Sequence, residues 1–541
     1  MERTFGVFHL FCGIGGGALG FQQAVGEWRG LRGRFVTLGG VDVDPLAIQD
    51  FEMLTGSRGT VLDLFSTEDY EAFHGRRPPA GWREATPEDL RAAAGGCTPD
   101  VVFSSPPCKG FSGLLPSAAA QSARYQALNR LTFRGIWLAL EAWREDPPGL
   151  IILENVPRIT SRGADLLRDL KGLLAAYGYV WHEGYHDCGE LGGLGQRRRR
   201  YLLVARRPDK VPVFLYRPPK RRVRSIGEIL GPLPLPDDPA GGPMHRLPRL
   251  QWITWLRLAL IPAGGDWRAL QEVRPGTYRI VPEGGSRNRY RVERVDSLGP
   301  WAADPRLGYQ PHKGAFRVGR WDRPATTVVG SVDVRGSNGM AAVADPRIGY
   351  SPRDGAMQVG AWDAPAGPVV GSASVTSSNG IAAVADPRLG CSPRNGAYSV
   401  TPWDQPAGAV TGAGDVHAQG ASCVADLRIP ADHERPDPPP VIIAEDGTWH
   451  RPLTTWELAA LQGFPLWMPD GSPLVLAGRS DRRWREAIGN AVPPPAARAI
   501  AESILLTLLA ASTGDEWILS PYGTPPWVAP YSTEEEVLAG D

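Results

Sequence analysis

At 541 residues the chain is several times longer than one core needs, which suggests about three or four domain-sized units. Hydrophobic residues at 42% and charged residues at 21% exclude a chain that is mostly disordered. With 58 basic against 58 acidic residues there is no global field for a polyanion, so any such attraction must be local.

The charge is unevenly spread. Arg197 to Arg200 form one basic run, Arg217, Lys220, Arg221, Arg222 and Arg224 form a second, and residues 534–541 are acidic. Taken alone, such runs read as readily as solvated faces as binding surfaces. The six cysteines, at 12, 97, 108, 188, 391 and 423, contain no C-x-x-C pair. That argues against a zinc site or a disulfide framework and fits a reducing cytoplasm. No signal peptide opens the chain and the apolar stretch 504–511 is short for a bilayer, so the expectation is a soluble cytoplasmic protein.

Phe5 to Phe11 reads as a buried strand, followed by Phe11-Cys12-Gly13-Ile14-Gly15-Gly16-Gly17 and a helix over Ala18 to Val25. Glycines in such a turn let backbone amides approach a ligand at a helix N-terminus, although a tight turn without ligand explains them equally well. After the second strand, Phe35 to Val41, come Asp42 and Asp44, where an acidic side chain can accept both hydroxyls of a ribose. Asp63 follows a third apolar pair and can receive an adenine amino group. Singly, each aspartate reads more simply as a helix cap or a solvated turn.

A third strand, Val101 to Ser104, runs into Ser105-Pro106-Pro107-Cys108-Lys109-Gly110-Phe111-Ser112. A lone cysteine is usually a small core hydrophobe. Here two prolines fix the backbone before it, and Gly110, Gly113 and Pro116 after it make a loop that suits a presented thiol under a mobile lid. A helix is expected over Gln121 to Glu145. The strand Leu150 to Leu153 ends in Glu154-Asn155-Val156-Pro157, where a partly desolvated carboxyl can donate or share a proton. A helix over Ala164 to Tyr177 follows. Gln196-Arg197-Arg198-Arg199-Arg200 then leads into the strand Tyr201 to Val204. Period two puts Gln196, Arg198 and Arg200 on one face, toward an active site, and Arg197 and Arg199 on the other, toward phosphates. This alternation predicts an α/β fold, a mainly parallel sheet with helices on both faces and its ligand at the strands' carboxyl ends.

From about Pro218 the texture turns to proline, glycine and short β-like runs, with one apolar helix over Leu250 to Leu260. Ala303-Asp304-Pro305-Arg306 recurs at 344–347 and 385–388, and Trp321-Asp322, Trp362-Asp363 and Trp403-Asp404 recur in step, each followed by x-Pro-Ala. We read three repeats of roughly 41 residues over about 303–425, each a small antiparallel β unit packed on its neighbours. Helical sequence returns over Arg451 to Phe464 and Pro493 to Ala510.

In the order and content of these motifs the chain resembles the DNA cytosine-5 methyltransferase family. The resemblance is carried by Phe11 to Gly17, Asp42, Pro107-Cys108, Glu154 to Val156, and Gln196, Arg198 and Arg200. Arg451-Pro452-Leu453-Thr454 with Glu457, Leu461-Gln462-Gly463-Phe464-Pro465, and Gly489-Asn490-Ala491-Val492-Pro493 carry it further. It implies a Rossmann-like domain that binds S-adenosyl-L-methionine through Phe11, Gly13, Gly15, Gly16, Asp42, Asp63, Pro107, Asn490 and Val492. It also implies a flipped cytosine attacked by Cys108, with Glu154 at N3 and Arg198 at O2, and DNA contacts from Gln196, Arg200, Lys109, Ser112 and Arg451.

Two departures stand out: Lys109, where the family often has glutamine, and three copies of a Trp-Asp-x-Pro-Ala segment usually present once. The expected organisation is a first catalytic part over 1–215, an inserted β-rich target-recognition region over 216–445, closing motifs over 446–510 that rejoin the catalytic domain, and a tail over 511–541. Double-stranded DNA is the implied partner of a monomer, with a cognate restriction enzyme as the companion to look for. The same mechanism on RNA or with a modified transferred group, and a catalytically silent DNA-binding protein, are the alternatives.

Overall fold

In a computed structural model of the protein, the described residues are 1–108, 111, 122–211, 215–216, 218–247, 252–262, 273, 278–282, 289–294, 318–320, 324, 342–345, 358–360, 381–384, 400–401, 423–424, 440–445, 447–515 and 526–528. They form two compact units, one from residues 1–246, 322–332 and 454–541, the other from 247–321 and 333–453.

The first unit begins with strands β1 (Glu2–Leu10), β2 (Val25–Trp28), β3 (Leu31–Asp42), β4 (Gly59–Val61), β5 (Val101–Ser104), β6 (Leu150–Asn155), β7 (Val180–Asp187), β8 (Arg199–Arg206) and β9 (Leu215–Tyr216). Its helices there are α1 (Gly16–Gln22), α2 (Pro45–Thr55), α3 (Thr67–His74), α4 (Pro87–Ala93), α5 (Ala123–Ala142), α6 (Ile159–Arg162), α7 (Ala164–Ala176), α8 (Cys188–Gly192) and α9 (Ile226–Leu230). The first eight strands make one sheet in the order β2-β3-β1-β5-β6-β8-β7, with β4 on β3. Pairs β3–β4, β1–β3, β1–β5 and β5–β6 are parallel, and pairs β2–β3, β6–β8 and β7–β8 are antiparallel.

Alternation along the central strands divides the apolar side chains between two cores. Phe8, Leu10, Val102, Ile151, Leu153 and Leu203 face α5 and α7. Val7, Val101, Phe103, Leu150, Ile152 and Leu202 face the other way. A central strand covered on both sides needs a continuous apolar run, which is what β5 and β6 have. The edge strand β7 lacks one: Val-Trp-His-Glu-Gly-Tyr-His-Asp is half-exposed along its length and gave no apolar signal in the sequence.

The second unit contains α10 (Trp252–Leu260) and strands β10 (Tyr278–Pro282), β11 (Arg289–Arg294), β12 (Val318–Arg320), β13 (Ala342–Asp345), β14 (Gln358–Gly360), β15 (Ile381–Val384), β16 (Val400–Thr401), β17 (Cys423–Val424), β18 (Val441–Ile443) and β19 (Trp449–Pro452). One sheet runs β10-β11-β18-β19-β13-β12. Trp255 of α10 stacks on Trp449 with ring centroids 6.4 Å apart. The repeats correct the expectation of antiparallel units, because β12–β13, β14–β15 and β16–β17 are each parallel. A parallel pair needs a crossover of about a dozen residues or more rather than a hairpin, and residues 321–341, 361–380 and 402–422 supply that length. The Trp-Asp-x-Pro-Ala segments belong to those connections and, apart from Pro324, lie outside the described residues.

The chain then returns to the first unit with α11 (Thr455–Gln462), α12 (Asp481–Asn490), α13 (Pro494–Ser512) and β20 (Pro526–Val528). The helix expected from Arg451 starts later, because Thr454 and Glu457 form a capping box: Thr454 N–H donates to Glu457 Oε2 at 3.0 Å and Glu457 N–H to Thr454 Oγ1 at 3.2 Å. α13 packs on α1, β2 and α8, and its apolar residues join the second core. Residues 481–512 are long and apolar enough to cross a membrane by composition, contrary to the expectation from 504–511 alone, but 67% of the apolar window is buried inside the protein.

The approach of α13 to α1 is close. A Cβ on Gly20 would stand 2.4 Å from the Pro494 carbonyl oxygen and 2.6 Å from the Ala497 Cβ. Gly20→Ala should therefore force the helices apart and lower stability by about 1–3 kcal/mol, the usual cost of overpacking. Urea unfolding checks this, and an unchanged midpoint would show that the contact is not as tight as described.

Candidate active site

The site lies at the carboxyl ends of β1, β3, β5 and β6. β1 leaves the sheet through Phe11 (φ 55°), Gly13 (φ 51°) and Gly15 (φ 88°). Holding a phenylalanine in the left-handed region costs about 1–3 kcal/mol and needs outside support. Gly135 of α5 gives that support, since a Cβ there would be 2.8 Å from the Phe11 ring. Cys12 N–H donates to Val41 O at 3.0 Å, which ties the turn to β3.

Asp42, at the end of β3, accepts Gly13 N–H at 3.0 Å on one oxygen and Asp44 N–H at 3.0 Å on the other. Burial raises its pKa, against the opposing pull of these amides. Asp63 accepts Phe65 N–H at 3.0 Å and Trp82 Nε1–H at 3.1 Å, so its carboxylate has a fixed direction. The groups fit a nucleoside-type cofactor: a Cβ on Gly13 would meet nothing within 4 Å, so the turn has open space before it, with a carboxylate to take hydroxyls alongside. Gly16 has a different reason to be glycine. A Cβ there would lie 2.1 Å from Val492 O, so the position is filled by the returning chain.

The Pro-Cys loop is fastened to the same turn. Ser105 N–H donates to Leu10 O at 3.3 Å and Ser105 Oγ to Phe11 O at 3.2 Å. Pro107 and Cys108 are half-buried. Phe111 N–H donates to Cys108 O at 3.0 Å, and the Phe111 ring is buried against Gly163. Lys109 and Ser112 lie outside the described residues.

Glu154 ends β6 beside β8, where Arg200 Nε stands 3.1 Å from its Oε1, each side chain 13% exposed. Burial pushes the Cys108 thiol up; the Arg200 cation pulls it partly back, Glu154 pushes it further up, and Arg198 lowers it. Cys108, Glu154, Arg198 and Arg200 therefore share one electrostatic neighbourhood. Cys188 belongs to it too, with burial pushing its thiol up to about 11. Ser104 Oγ and Asn155 Nδ2, buried in β5 and β6 beside these groups, have no partner among the described residues.

Arg198, just before β8, and Arg200, within it, are held in different ways. Arg198 is 2% exposed and donates from Nη2 to Gly489 O at 3.0 Å and Ala491 O at 3.2 Å. Burial, then the like charge of Arg200, lowers its pKa to about 10, which still leaves it protonated at neutral pH. Its Nη2 holds the closing turn, while Arg200 is ion-paired with Glu154. Gln196 is likewise no surface contact. It is fully buried and donates from Nε2 to Gln462 Oε1 at 2.7 Å and Leu461 O at 3.2 Å, while Gln462 Nε2 donates to Ile488 O at 2.8 Å. The chain from Gln196 through Gln462 to α12 was not foreseen, because its first link joins positions 266 residues apart. Arg451 is fully buried in the other unit, lies over the Trp449 ring at 5.7 Å and donates to Pro452 O at 3.1 Å, so it is not presented to a phosphate. Asn490 is exposed at the end of α12, and Val492 is buried against the glycine turn.

The first unit is an α/β domain whose sheet is parallel at its centre and carries the thiol, carboxylates and open turn at its strand ends. Residues 5–231 match the family described as C-5 cytosine-specific DNA methylase. A curated relative, the type II methyltransferase M.XorII of Xanthomonas oryzae pv. oryzae, is 26% identical over 238 residues, which cover 43% of this chain and 47% of that protein. The chain thus spans about half the length of the curated relative it matches. Among solved structures, the Entamoeba histolytica methyltransferase EhMeth aligns at 12% identity and a TM-score of 0.45, over 93% of this chain and 98% of that one. The S. pombe Dnmt2 methyltransferase aligns at 13% identity and a TM-score of 0.39, over 94% and 99%.

A raised thiol pKa means less thiolate at pH 8 than a free cysteine carries. Iodoacetamide should label Cys108, followed by peptide mass spectrometry, more slowly than a model thiol. Arg200→Gln should slow it further, because it removes the largest influence lowering that pKa. Equal or faster labelling of the variant would contradict this electrostatic picture.

Proposed function

We propose that the protein is a DNA cytosine-5 methyltransferase that attacks a flipped-out cytosine with Cys108. The observation that carries this reading is the convergence of a half-buried thiol, a carboxylate and a guanidinium on one cleft at the strand ends, next to the glycine turn. The match of residues 5–231 to the C-5 cytosine-specific DNA methylase family supports it.

Cytosine C5 is a poor nucleophile. The Cys108 thiol gives its proton to water, and the sulfur bonds to ring C6, which pushes an electron pair toward C5 and splits one hard step into two. Charge that builds on the ring is met at N3 by Glu154, which shares a proton there, and at O2 by Arg200, held ready by its ion pair with Glu154. S-adenosyl-L-methionine supplies an electrophilic methyl group when bound. Phe11, Gly13, Gly15, Asp42, Asp63, Pro107, Asn490 and Val492 would hold it, with Asp42 on its ribose hydroxyls. Once C5 carries the methyl group, its proton passes to water, the C6–S bond breaks and Cys108 leaves as thiolate.

The target atom is inside stacked DNA, so the base must leave the helix, at a cost of about a few kcal/mol. Phosphate contacts offset that cost. We read residues 247–321 and 333–453 as the target-recognition part, with the repeated parallel strand pairs enlarging its DNA-facing surface.

Duplex DNA and RNA are each incubated with the methyl donor and the protein, then digested for nucleoside mass spectrometry. 5-Methylcytosine should form in the duplex, and Cys108→Ser should reduce it by about 10³-fold or more. Product in RNA alone would change the substrate, a heavier product would change the transferred group, and no modified cytosine in any substrate would overturn the reading.

A further inference from the structure

The closing part of the chain reaches the cofactor turn from a second direction. Arg483, on the first turn of α12, donates from Nη1 to Asp50 Oδ2 at 3.2 Å and to Ala477 O at 2.8 Å, and its Nη2 lies 3.4 Å from Asp44 Oδ2. Asp50 is 1% exposed, and its other oxygen accepts Ala477 N–H at 2.6 Å. Asp44 caps α2 with one oxygen, accepting Leu46 N–H at 2.9 Å, which leaves the other for Arg483. The Asp44 N–H in turn donates to Asp42 Oδ1, and Asp42 Oδ2 accepts Gly13 N–H. A continuous line of polar contacts therefore runs from α12 through Asp44 and Asp42 to the glycine turn, between residues 439 positions apart.

We propose that Arg483 is a positioning residue for Asp42 and thereby sets the protein's affinity for its nucleoside cofactor. The proposal rests on the reading of Asp42 as the ribose contact. Three carboxylates, Asp42, Asp44 and Asp50, crowd the start of α2, and Asp44 repels both of the others. Arg483 is the cation in ion-pair contact with Asp44 and Asp50. A planar fork is needed: one nitrogen serves the buried Asp50 and the Ala477 carbonyl while the other reaches Asp44, which a lysine ammonium does not reproduce. Asp50 is held on both sides by the α12 segment, so α2 cannot slide without breaking a buried ion pair. With α2 fixed, the Asp44 amide is fixed, and Asp42 keeps the direction in which it meets hydroxyls. The arginine acts through its neighbours and does not touch the reacting atoms. The sequence gives no sign of it, because nothing local sets Arg483 apart from Arg482 and Arg485.

The test is calorimetric binding of S-adenosylhomocysteine to the full chain, beside steady-state kinetics. Arg483→Met should raise the dissociation constant about tenfold, the size of a lost charge-assisted contact, with kcat and the DNA KM within about twofold of the native values. Arg483→Lys should recover only part of the loss. Asp44→Asn keeps the helix cap and the buried Asp50–Arg483 pair, so it serves where the arginine variant does not fold; it should weaken binding in the same direction, and the double variant should be no weaker than Arg483→Met alone. Unchanged affinity in folded Arg483→Met or Asp44→Asn, or a kcat that falls and a DNA KM that rises in parallel with the lost affinity, would overturn the proposal. Binding is read without turnover. A native protein that binds S-adenosylhomocysteine yet methylates no DNA refutes the methyltransferase reading and leaves this test standing, whereas one that binds no S-adenosylhomocysteine refutes both.

Discussion

The site depends on one packing contact: the returning chain lies directly on the glycine turn, with the Val492 and Pro494 carbonyl oxygens in the places where side chains of residues 16 and 20 would be. Small residues permit that approach, and a long apolar helix, α13, holds it by filling the second core beneath the sheet. Everything that α11 and α12 contribute follows from this docking. Gln196 and Arg198, in the segment that leads into β8, donate to Leu461, Gln462, Gly489 and Ala491, so the entry to the strand that carries Arg200 and the end of α12 are braced against each other. Parts of the chain hundreds of residues apart thus share one rigid framework.

The electrostatics of the site follow from burial. Arg198 is buried and donates to the Gly489 and Ala491 carbonyls, which keep it in place, and Arg200 is ion-paired with the Glu154 carboxylate. The burial that pushes the Cys108 thiol up also strengthens the charges of Arg198, Arg200 and Glu154 that act on it. A thiol that is mostly protonated while waiting fits a nucleophile that is activated late, when the substrate has filled the cleft.

Much of the architecture was legible in the sequence wherever one physical signal dominated. Doubly buried strands are continuous apolar runs, and β5 and β6 read as such; the glycine turn, the Pro-Cys loop and the Glu-Asn end of β6 follow their strands directly. The edge strand β7 has no such run and left no trace. Period two correctly put Gln196, Arg198 and Arg200 on one face, but a face is not a partner: two of the three spend their side chains on the closing segment, and no local pattern tells Arg198 from Arg200. The repeat was visible, yet its strand direction was not, since runs of two to four residues carry no signal that separates parallel from antiparallel pairing. Arg483 illustrates the remaining limit, because its significance lies wholly in contacts with Asp44 and Asp50 far back in the chain.

The central claim is that one sulfur atom bonds to the ring carbon beside the position that is alkylated, inside a cleft framed by both ends of the chain. The most direct measurement is a denaturing gel of the protein incubated with the methyl donor and a duplex carrying 5-fluorocytosine at the cytosine it modifies, where fluorine blocks the final loss from C5. A stable protein–DNA adduct should accumulate with the native chain and vanish with Cys108→Ser. A native protein that methylates the ordinary duplex but forms no adduct with the fluorinated one would contradict covalent attack by Cys108.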